Sequence, residues 1–300
     1  MKKIVKTISY LLISAALVGV AIYSDSNEIS AGAMLGSLFA GITIPYFMQS
    51  VVDLTDNTNW KSTQRKLRRA GILQKDTMVR ISFAYLFRIK VDGKYFLVQS
   101  SRTRKYQPVG GAYKFEKIEA DYLSDNIPVE NDDRIPVDEV TEFDYRLLVK
   151  NKDLRKFVRR FNKTPHRENV SNLSREFIEE IFNSGILDKK TFGLLVYRYC
   201  GRHMTEVTYN SFFGRYELLL ADIVEVELSD EQKKLFRELM KSENEKYYFA
   251  TAEEIKSLGV KYGTNDIADK IGNHTFKILS ENTDRLTMRD RHPDIITIDL

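Results

Sequence analysis

The sequence predicts a two-helix N-terminal hairpin followed by one α/β or α+β sandwich. Three observations carry that reading. Residues 7–23 and 31–52 are consecutive apolar stretches without a charged residue. Strand-forming runs rich in Ile, Phe, Tyr, Leu and Val flank Asp92-Gly93, the strongest short hairpin signal. Farther on, Ser229-Asp230-Glu231-Gln232 and Thr251-Ala252-Glu253-Glu254 are capping boxes, each opening a helix among strand-like segments.

A spanning helix needs roughly 20 apolar residues. The second stretch meets that length comfortably, and the first is short but within range. The connector, residues 24–30, carries Asp25 and Glu28 and no Lys or Arg. Lys2, Lys3 and Lys6 precede the first stretch, while Lys61, Arg65, Lys66, Arg68 and Arg69 follow the second. The positive-inside rule therefore places both termini in the cytoplasm and the connector outside, a multi-pass topology. Tyr23, Tyr46 and Phe47 lie where interfacial aromatics lie, and Trp60 stands in the basic segment. A cleaved signal peptide needs small residues before the cut, and Ala21-Ile22-Tyr23 serves poorly. Gly32 and Gly36, and Ser37 and Gly41, put small residues four apart, where helices can approach closely.

Residues 1–54 thus read as a transmembrane hairpin, 55–75 as a basic juxtamembrane linker and 76–300 as the soluble domain. Within that domain residues 80–90, 94–101, 194–199 and 216–228 read as strands. The helix after Ser229 carries Leu235, Phe236, Leu239 and Met240 on one face. The chain is +4, and residues 1–70 hold eight basic residues (those named above) against four acidic ones (Asp25, Glu28, Asp53, Asp56). Residues 71–300 therefore balance, and no long nucleic-acid partner is indicated. A single cysteine, Cys200, excludes an internal disulfide and fits a reducing cytoplasm. His166, His203, His274 and His292 are scattered, so neither a metal nor another cofactor is expected.

Residues 173–184 have helical period, with Leu173, Phe177 and Ile181 in one stripe. Glu176, Glu179 and Glu180 then share a face at i, i+3 and i+4. Stacked carboxylates suit a divalent cation, and an ordinary solvated acidic face is the plainer alternative. Arg175-Glu176-Phe177-Ile178-Glu179-Glu180 resembles the core of the Nudix box, Gly-x5-Glu-x7-Arg-Glu-U-x-Glu-Glu-x-Gly-U. Gln107-Pro108-Val109-Gly110-Gly111 follows the hairpin as paired glycines do in Nudix domains, and Gly110-x5-Glu116 supplies the first part of the box. Residues 247–259 and 273–275 resemble closing segments of that fold, so the likeness covers about residues 80–280. Glu116 and Arg175 are separated by 58 residues where the pattern has seven, and Gly185 arrives late. The resemblance therefore implies a Nudix-like α/β/α sandwich whose box is split by an insertion at about 117–170, and the split argues against hydrolysis.

Two spans before an interrupted Nudix-like domain resemble the membrane effectors of bacterial cyclic-oligonucleotide anti-phage signalling (CBASS) that carry a SMODS-associated NUDIX-homology domain. Residues 85–100, then Arg102, Arg104 and residues 106–111, carry the likeness best. It implies an inner-membrane receptor without catalytic residues. A partner nucleotidyltransferase makes a cyclic di- or oligonucleotide, the domain binds it, and hairpins of a homo-oligomer disrupt the lipid bilayer. The alternative is a membrane-anchored Nudix hydrolase of nucleoside diphosphate derivatives, kept open by Glu176, Glu179 and Glu180.

Ligand-binding candidates follow from residue chemistry. Arg102 and Arg104 precede the glycines and suit phosphate, though surface arginines at a strand end look the same. Gly110 and Gly111 permit close backbone approach, with Gln107 just before them. Tyr106 and Tyr113 bracket that loop and could stack on bases or pack in the sheet. Phe212 and Arg215 form a second aromatic and cationic cluster. Residues 150–167 are strongly basic and read as a helix touching headgroups or ligand phosphates, or as a solvated face.

Overall fold

The computed structural model describes residues 2–27, 30–55, 60–134, 138, 141–211, 213–260, 270–280, 286–287 and 295–300. The chain divides into two compact units, Met1–Asn59 and Trp60–Leu300.

The first unit is α1 (Lys2–Ser26) and α2 (Ser30–Thr55). They pack antiparallel. Ser14 Oγ donates to Thr43 Oγ1 at 3.2 Å, and the Tyr10 and Tyr46 rings stack at 6.1 Å. At Gly36 an added Cβ would lie 2.9 Å from Ala21, so this glycine is used within the chain; Gly41 has open space beside it. Large apolar side chains point outward: Leu12 is 64% exposed, Ile22 65% and Met34 76%. Among the described residues one helix, over Thr7–Ser26, is long and apolar enough to cross a membrane; the apolar helical segment Met34–Phe47 is shorter.

The second unit begins with α3 (Trp60–Arg69), β1 (Met78–Arg88), β2 (Lys90–Val91), β3 (Lys94–Gln99), β4 (Tyr106–Gln107) and β5 (Gly110–Ala112). It continues with α4 (Lys117–Asn126), β6 (Val129–Asn131), β7 (Arg146–Lys150), α5 (Leu154–Phe161), α6 (Arg175–Phe177) and α7 (Lys189–Phe192). Then come β8 (Leu195–Met204), β9 (Thr208–Asn210), β10 (Arg215–Val226), α8 (Asp230–Met240), β11 (Tyr247–Ala250), α9 (Ala252–Lys256), β12 (Leu286–Thr287) and β13 (Ile296–Ile298). This is a mixed α/β domain. Its main sheet has the order β12-β8-β10-β1-β7-β6, with β13 on β8, β5 on β1 and β9 on β10. A smaller sheet has the order β11-β3-β2, with β4 on β3.

Strand β1 is the axis of the main sheet. It runs parallel to β10 and antiparallel to β5 and β7. Alternation sends Val79, Ile81, Phe83, Tyr85 and Phe87 to one face, all fully buried. There Phe83 stacks on Phe161 of α5 at 3.6 Å, and Phe87 meets Phe177 of α6 edge-on at 5.3 Å. The opposite face carries Arg80, Ser82, Ala84, Leu86 and Arg88. The Asp92-Gly93 turn has positive φ at both positions, 48° and 81°, which joins β2 and β3 with the twist such hairpins favour. Both capping boxes are present, at Ser229 and at Thr251.

The inserted stretch builds part of the core: its β7 pairs with the central β1, and Leu154, Phe157, Val158 and Phe161 of α5 are buried. Three expectations are corrected. Residues 150–167 therefore contribute a strand end and an amphipathic core helix rather than one basic helix. From Trp60 onward the expected linker belongs to the folded domain. Trp60 is fully buried, and buried Gln64 donates to Asn151 Oδ1 at 2.7 Å. Residues 173–184 form only a short α-turn, Arg175–Phe177, followed by a π-helix, Ile178–Asn183. Wider π winding changes the side-chain phase, so the expected i, i+3, i+4 carboxylate row does not form on one regular α-helix.

Candidate functional site

The site is built on the glycine strand β5. Gly110 N donates to Glu180 Oε2 at 2.8 Å, and the Gln107 side chain bonds the same carboxylate. Gly110 has φ 141°, and a Cβ there would strike the Tyr85 carbonyl. A Cβ on Gly111 would strike the Glu176 carboxylate. These two positions therefore require glycine for strand and carboxylates to lie so close.

Arg175 ties the carboxylates to the strand. Its Nε donates to Glu168 Oε1 at 2.8 Å, its Nη1 to Glu176 Oε1 at 2.8 Å and its Nη2 to the Ala112 carbonyl at 2.9 Å. Glu179 lies 3.6 Å from the same Nη1. The acid paired with Arg175 is thus Glu168, not Glu116. Glu116 instead faces His166 Nδ1 at 3.1 Å, on the surface. The reason is topological. The excursion leaves and re-enters the site as an antiparallel pair: Lys114 N donates to Glu168 Oε2, Glu168 N donates to the Lys114 carbonyl, and Phe115 bridges Arg167. Counting along the chain crosses the insertion; counting across this closure leaves six residues, 169–174, between Glu168 and Arg175, one fewer than the pattern has. The halves of the box are therefore joined in space, which removes the split as an argument about chemistry.

Burial, with the Glu176 charge next, pushes the Glu180 carboxyl up to about 8, and burial also raises Glu176. Among the described residues no three His, Cys, Asp or Glu side chains are arranged to hold a metal ion. The Arg175 guanidinium bridges Glu176 at 2.8 Å and Glu179 at 3.6 Å.

Glu180 carries a stability prediction. Its folded-state value is raised from 4.5 to about 8, so the folded domain keeps a proton that the unfolded chain releases between those values. Its contribution is complete below about 4.5 and is lost as pH rises through about 8. Glu180→Gln mimics the protonated form, and its stability relative to the parent is expected to rise by on the order of 5 kcal/mol across that window. Chemical denaturation at several pH values measures this. A pH-independent difference between the two proteins contradicts the assignment.

The other candidates separate. Arg102 and Arg104 are exposed in the turn between β3 and β4; Arg104 has φ 59°, and its Nη2 lies 4.0 Å from Glu245 Oε2. Tyr106 stacks on Tyr248 at 5.3 Å, and its backbone joins Lys270 and Gly272. Tyr113 is corrected outright as a base-stacking candidate. It is fully buried on the aromatic face and donates to Asp222 Oδ2 at 2.8 Å. Arg215 pairs with Asp133 at 2.8 Å. Phe212 lies outside the described residues, and Phe213 instead lies under the Arg80 guanidinium at 4.0 Å.

Sequence reasoning missed the group that links these places. On the second face of β1, Ser82 and Ala84 are only half-buried, as is Leu219 beside Ser82 on β10, so this strip of sheet stays open. Arg146 on β7 pairs in register with Ser82; burial lowers its affinity for its proton, Asp144 at 3.6 Å opposes this, and the charges of Arg102 and Arg80 add to it. His274 feels the charges of Lys277 and Arg146, which with burial hold it down to about 4. Lys277 is 4% exposed, and burial lowers it to about 8. Arg80, in turn, is held by Asp132 at 2.5 Å and by Glu217 at 3.3 Å. Half-buried Ser82, Ala84 and Leu219 thus lie on the face of β1 and β10 near a group of mutually influencing cations, Arg146 with Arg102 and Arg80, and His274 with Arg146 and Lys277. Only a run-by-run test of which charged residues alternate with strand apolars (Arg146 before Leu147-Leu148-Val149) carried a sequence signal for it.

A family model described as SMODS-associated NUDIX domain matches residues 78–279. No curated protein and no solved structure matches the chain.

Proposed function

This chain belongs to the SMODS-associated NUDIX domain family, and from that premise we propose that it is a receptor-effector of anti-phage defence. In this reading the domain binds a cyclic di- or oligonucleotide made by a partner nucleotidyltransferase. The observation that carries the reading is the group Arg146, His274 and Lys277 near half-buried Ser82, Ala84 and Leu219. Phosphodiesters need fixed cationic donors, and small side chains such as Ser82 and Ala84 leave room for bases. In this reading Arg102, Arg104, Tyr106, Gly110, Gly111 and Arg215 contribute further contacts to the ligand.

The ligand is held without being cleaved. Glu180 is satisfied by Gly110 and Gln107, and Arg175 neutralises Glu176 and Glu179, so the carboxylates of the box serve to fix the glycine strand. One observation favours the second reading, a membrane-anchored Nudix hydrolase: Glu168, Arg175, Glu176, Glu179 and Glu180 gather in one place despite the insertion.

α1 and α2 act as a two-span hairpin in the bacterial inner membrane, both termini cytoplasmic. Outward Leu12, Ile22 and Met34 support this, since such side chains gain from lipid. Two helices cannot line a pore alone, so disruption needs several chains. Gly36 is taken up against Ala21, whereas Gly41 has open space beside it and can serve for contact between copies. The test uses the full chain in dye-loaded vesicles, with a panel of cyclic di- and trinucleotides. One of them is expected to trigger dye release, and Gly41→Leu to lower that release at least several-fold with nucleotide binding unchanged. Release that ignores every nucleotide rejects the receptor-effector reading, and release unaffected by Gly41→Leu rejects the role of that helix face.

A further inference from the structure

We propose that a phosphate of the nucleotide seats on Lys277, and that binding draws a proton onto its amine. The inference rests on the receptor reading above and adds to it a contact and a pH dependence.

Lys277 stands in a short 3₁₀ turn, Thr275–Ile278, which packs on β1 and β10. Arg88 of β1 anchors the turn. Its Nε donates to the Ile278 carbonyl at 2.5 Å and its Nη2 to the Leu279 carbonyl at 3.2 Å. The backbone N–H of Lys277 donates to the His274 carbonyl at 3.1 Å. The main chain is therefore fixed on both sides of the amine. The side chain is buried, yet among the described residues its ammonium makes no hydrogen bond and no ion pair. Lys277 Nζ is not among the partnerless side-chain atoms that are sealed from solvent, so it reaches open space.

Neighbouring acids are engaged elsewhere. Glu217 of β10, the charge that acts on Lys277, accepts from Arg80 Nη1 at 3.3 Å and from Asn210 Nδ2 at 2.9 Å. Glu225, farther along β10, is paired with Arg198 at 2.8 Å. Glu254 of α9, which also packs against the turn, accepts from the Tyr248 hydroxyl at 2.6 Å. The remaining neighbours are donors or cations. His274 on the same turn feels the charges of Lys277 and of Arg146, and Arg146 on β7 approaches Asp144 at 3.6 Å.

A buried amine without an acceptor favours its neutral form, because the charge has lost water and gained no partner. Burial accordingly lowers Lys277 to about 8, with Glu217 the opposing influence. A phosphodiester oxygen supplies both the missing acceptor and a negative charge, so it favours the ammonium. Arg146 and half-buried Ser82, its register partner, extend the donor set. Free Lys277 is charged below about 8 and increasingly neutral above it, whereas the bound residue stays charged to higher pH. Affinity is therefore insensitive to this group below about 8; above it, affinity falls and a proton is taken up on binding.

The full chain in detergent is titrated calorimetrically with cyclic di-AMP, cyclic di-GMP, cyclic GMP–AMP and cyclic tri-AMP, at pH 7 and at pH 9. Each titration is run in two buffers of different ionisation enthalpy, which gives the protons exchanged. For the compound that binds, uptake is expected to be near zero at pH 7 and to exceed about half a proton per site at pH 9, with affinity about tenfold weaker there. Lys277→Arg keeps a charge that does not titrate in this range, and is expected to bind with equal affinity at both pH values and without uptake. Lys277→Met is expected to bind several-fold more weakly than the parent at pH 7, also without uptake. Lys277→Met binding as tightly as the parent overturns the contact. Uptake that persists in both variants belongs to another group, such as Glu180, and overturns the proton assignment. Binding by the parent without uptake at pH 9 overturns this inference and leaves the receptor reading standing; binding of none of the four compounds overturns both.

Discussion

Asp222→Leu is expected to leave the Trp60–Leu300 unit largely unfolded. Asp222 is fully buried on β10, and its carboxylate accepts four hydrogen bonds: Tyr113 and Tyr199 hydroxyls at 2.8 and 3.0 Å, and Arg202 Nε and Nη2 at 2.8 and 2.7 Å. Those partners hold the carboxyl below its ordinary value despite complete burial, with Arg202 the main opposing influence. Removing one member of a buried ion pair costs about 3–5 kcal/mol, because the other charge stays behind. Each orphaned hydroxyl adds about 1–3 kcal/mol. The total rivals the 5–15 kcal/mol or so that holds a typical domain together. Replacing the network as a unit, with Arg202→Met, Tyr113→Phe and Tyr199→Phe added, is expected to recover much of the loss. Protection from proteolysis and amide exchange across β8 and β10 reads both variants. A single Asp222→Leu variant as protected as the parent contradicts the account.

Arg146→Gln is expected to give the largest loss of ligand affinity with the domain still folded. Deleting a charge-assisted bond to phosphate costs about 1.5–3 kcal/mol, or roughly ten- to a hundredfold. Arg104→Ala should matter far less, since its side chain is 71% exposed and meets only a distant Glu245, and exposed pairs contribute about 0–1 kcal/mol. Lys277→Met supplies the sharper contrast. A buried ammonium beside Glu217 destabilises the domain, so the apolar variant should melt higher while binding ligand more weakly. A merely structural lysine does not trade stability against affinity in that direction. Equal affinity in all three variants removes the strip from the site.

The elements legible in the sequence are those set by neighbours in the chain. Asp92-Gly93 needs only positive φ at two adjacent residues, and Ser229 and Thr251 cap helices through bonds to residues three positions on. The reading failed where partners are far apart in the chain. Nothing beside Leu147–Val149 says that this stretch pairs with β1, sixty-odd residues upstream. Spacing along the chain selected Glu116, whereas the antiparallel closure at Lys114 and Glu168 selects Glu168. Tyr113 looked available for stacking because Asp222 and Arg202, which fix it in the core, come from strands a hundred residues later. Arg146, His274 and Lys277 were invisible as a group for the same reason. The π-winding after Phe177 has no composition signature, and it decided which way Glu179 and Glu180 point.

The central claim is that the Nudix-homology domain holds its nucleotide without hydrolysing it. The most direct test incubates the full chain in detergent with each cyclic di- and trinucleotide of a panel plus Mg²⁺, measures binding at equilibrium, and then recovers the nucleotide for chromatography. One member of the panel is expected to bind saturably, one per domain, with affinity reduced by Arg146→Gln, and to be recovered intact. Mg²⁺-dependent conversion to a linear or monophosphate product, abolished by Glu179→Gln, contradicts the claim and makes the reassembled box an active centre; binding of no member contradicts it equally.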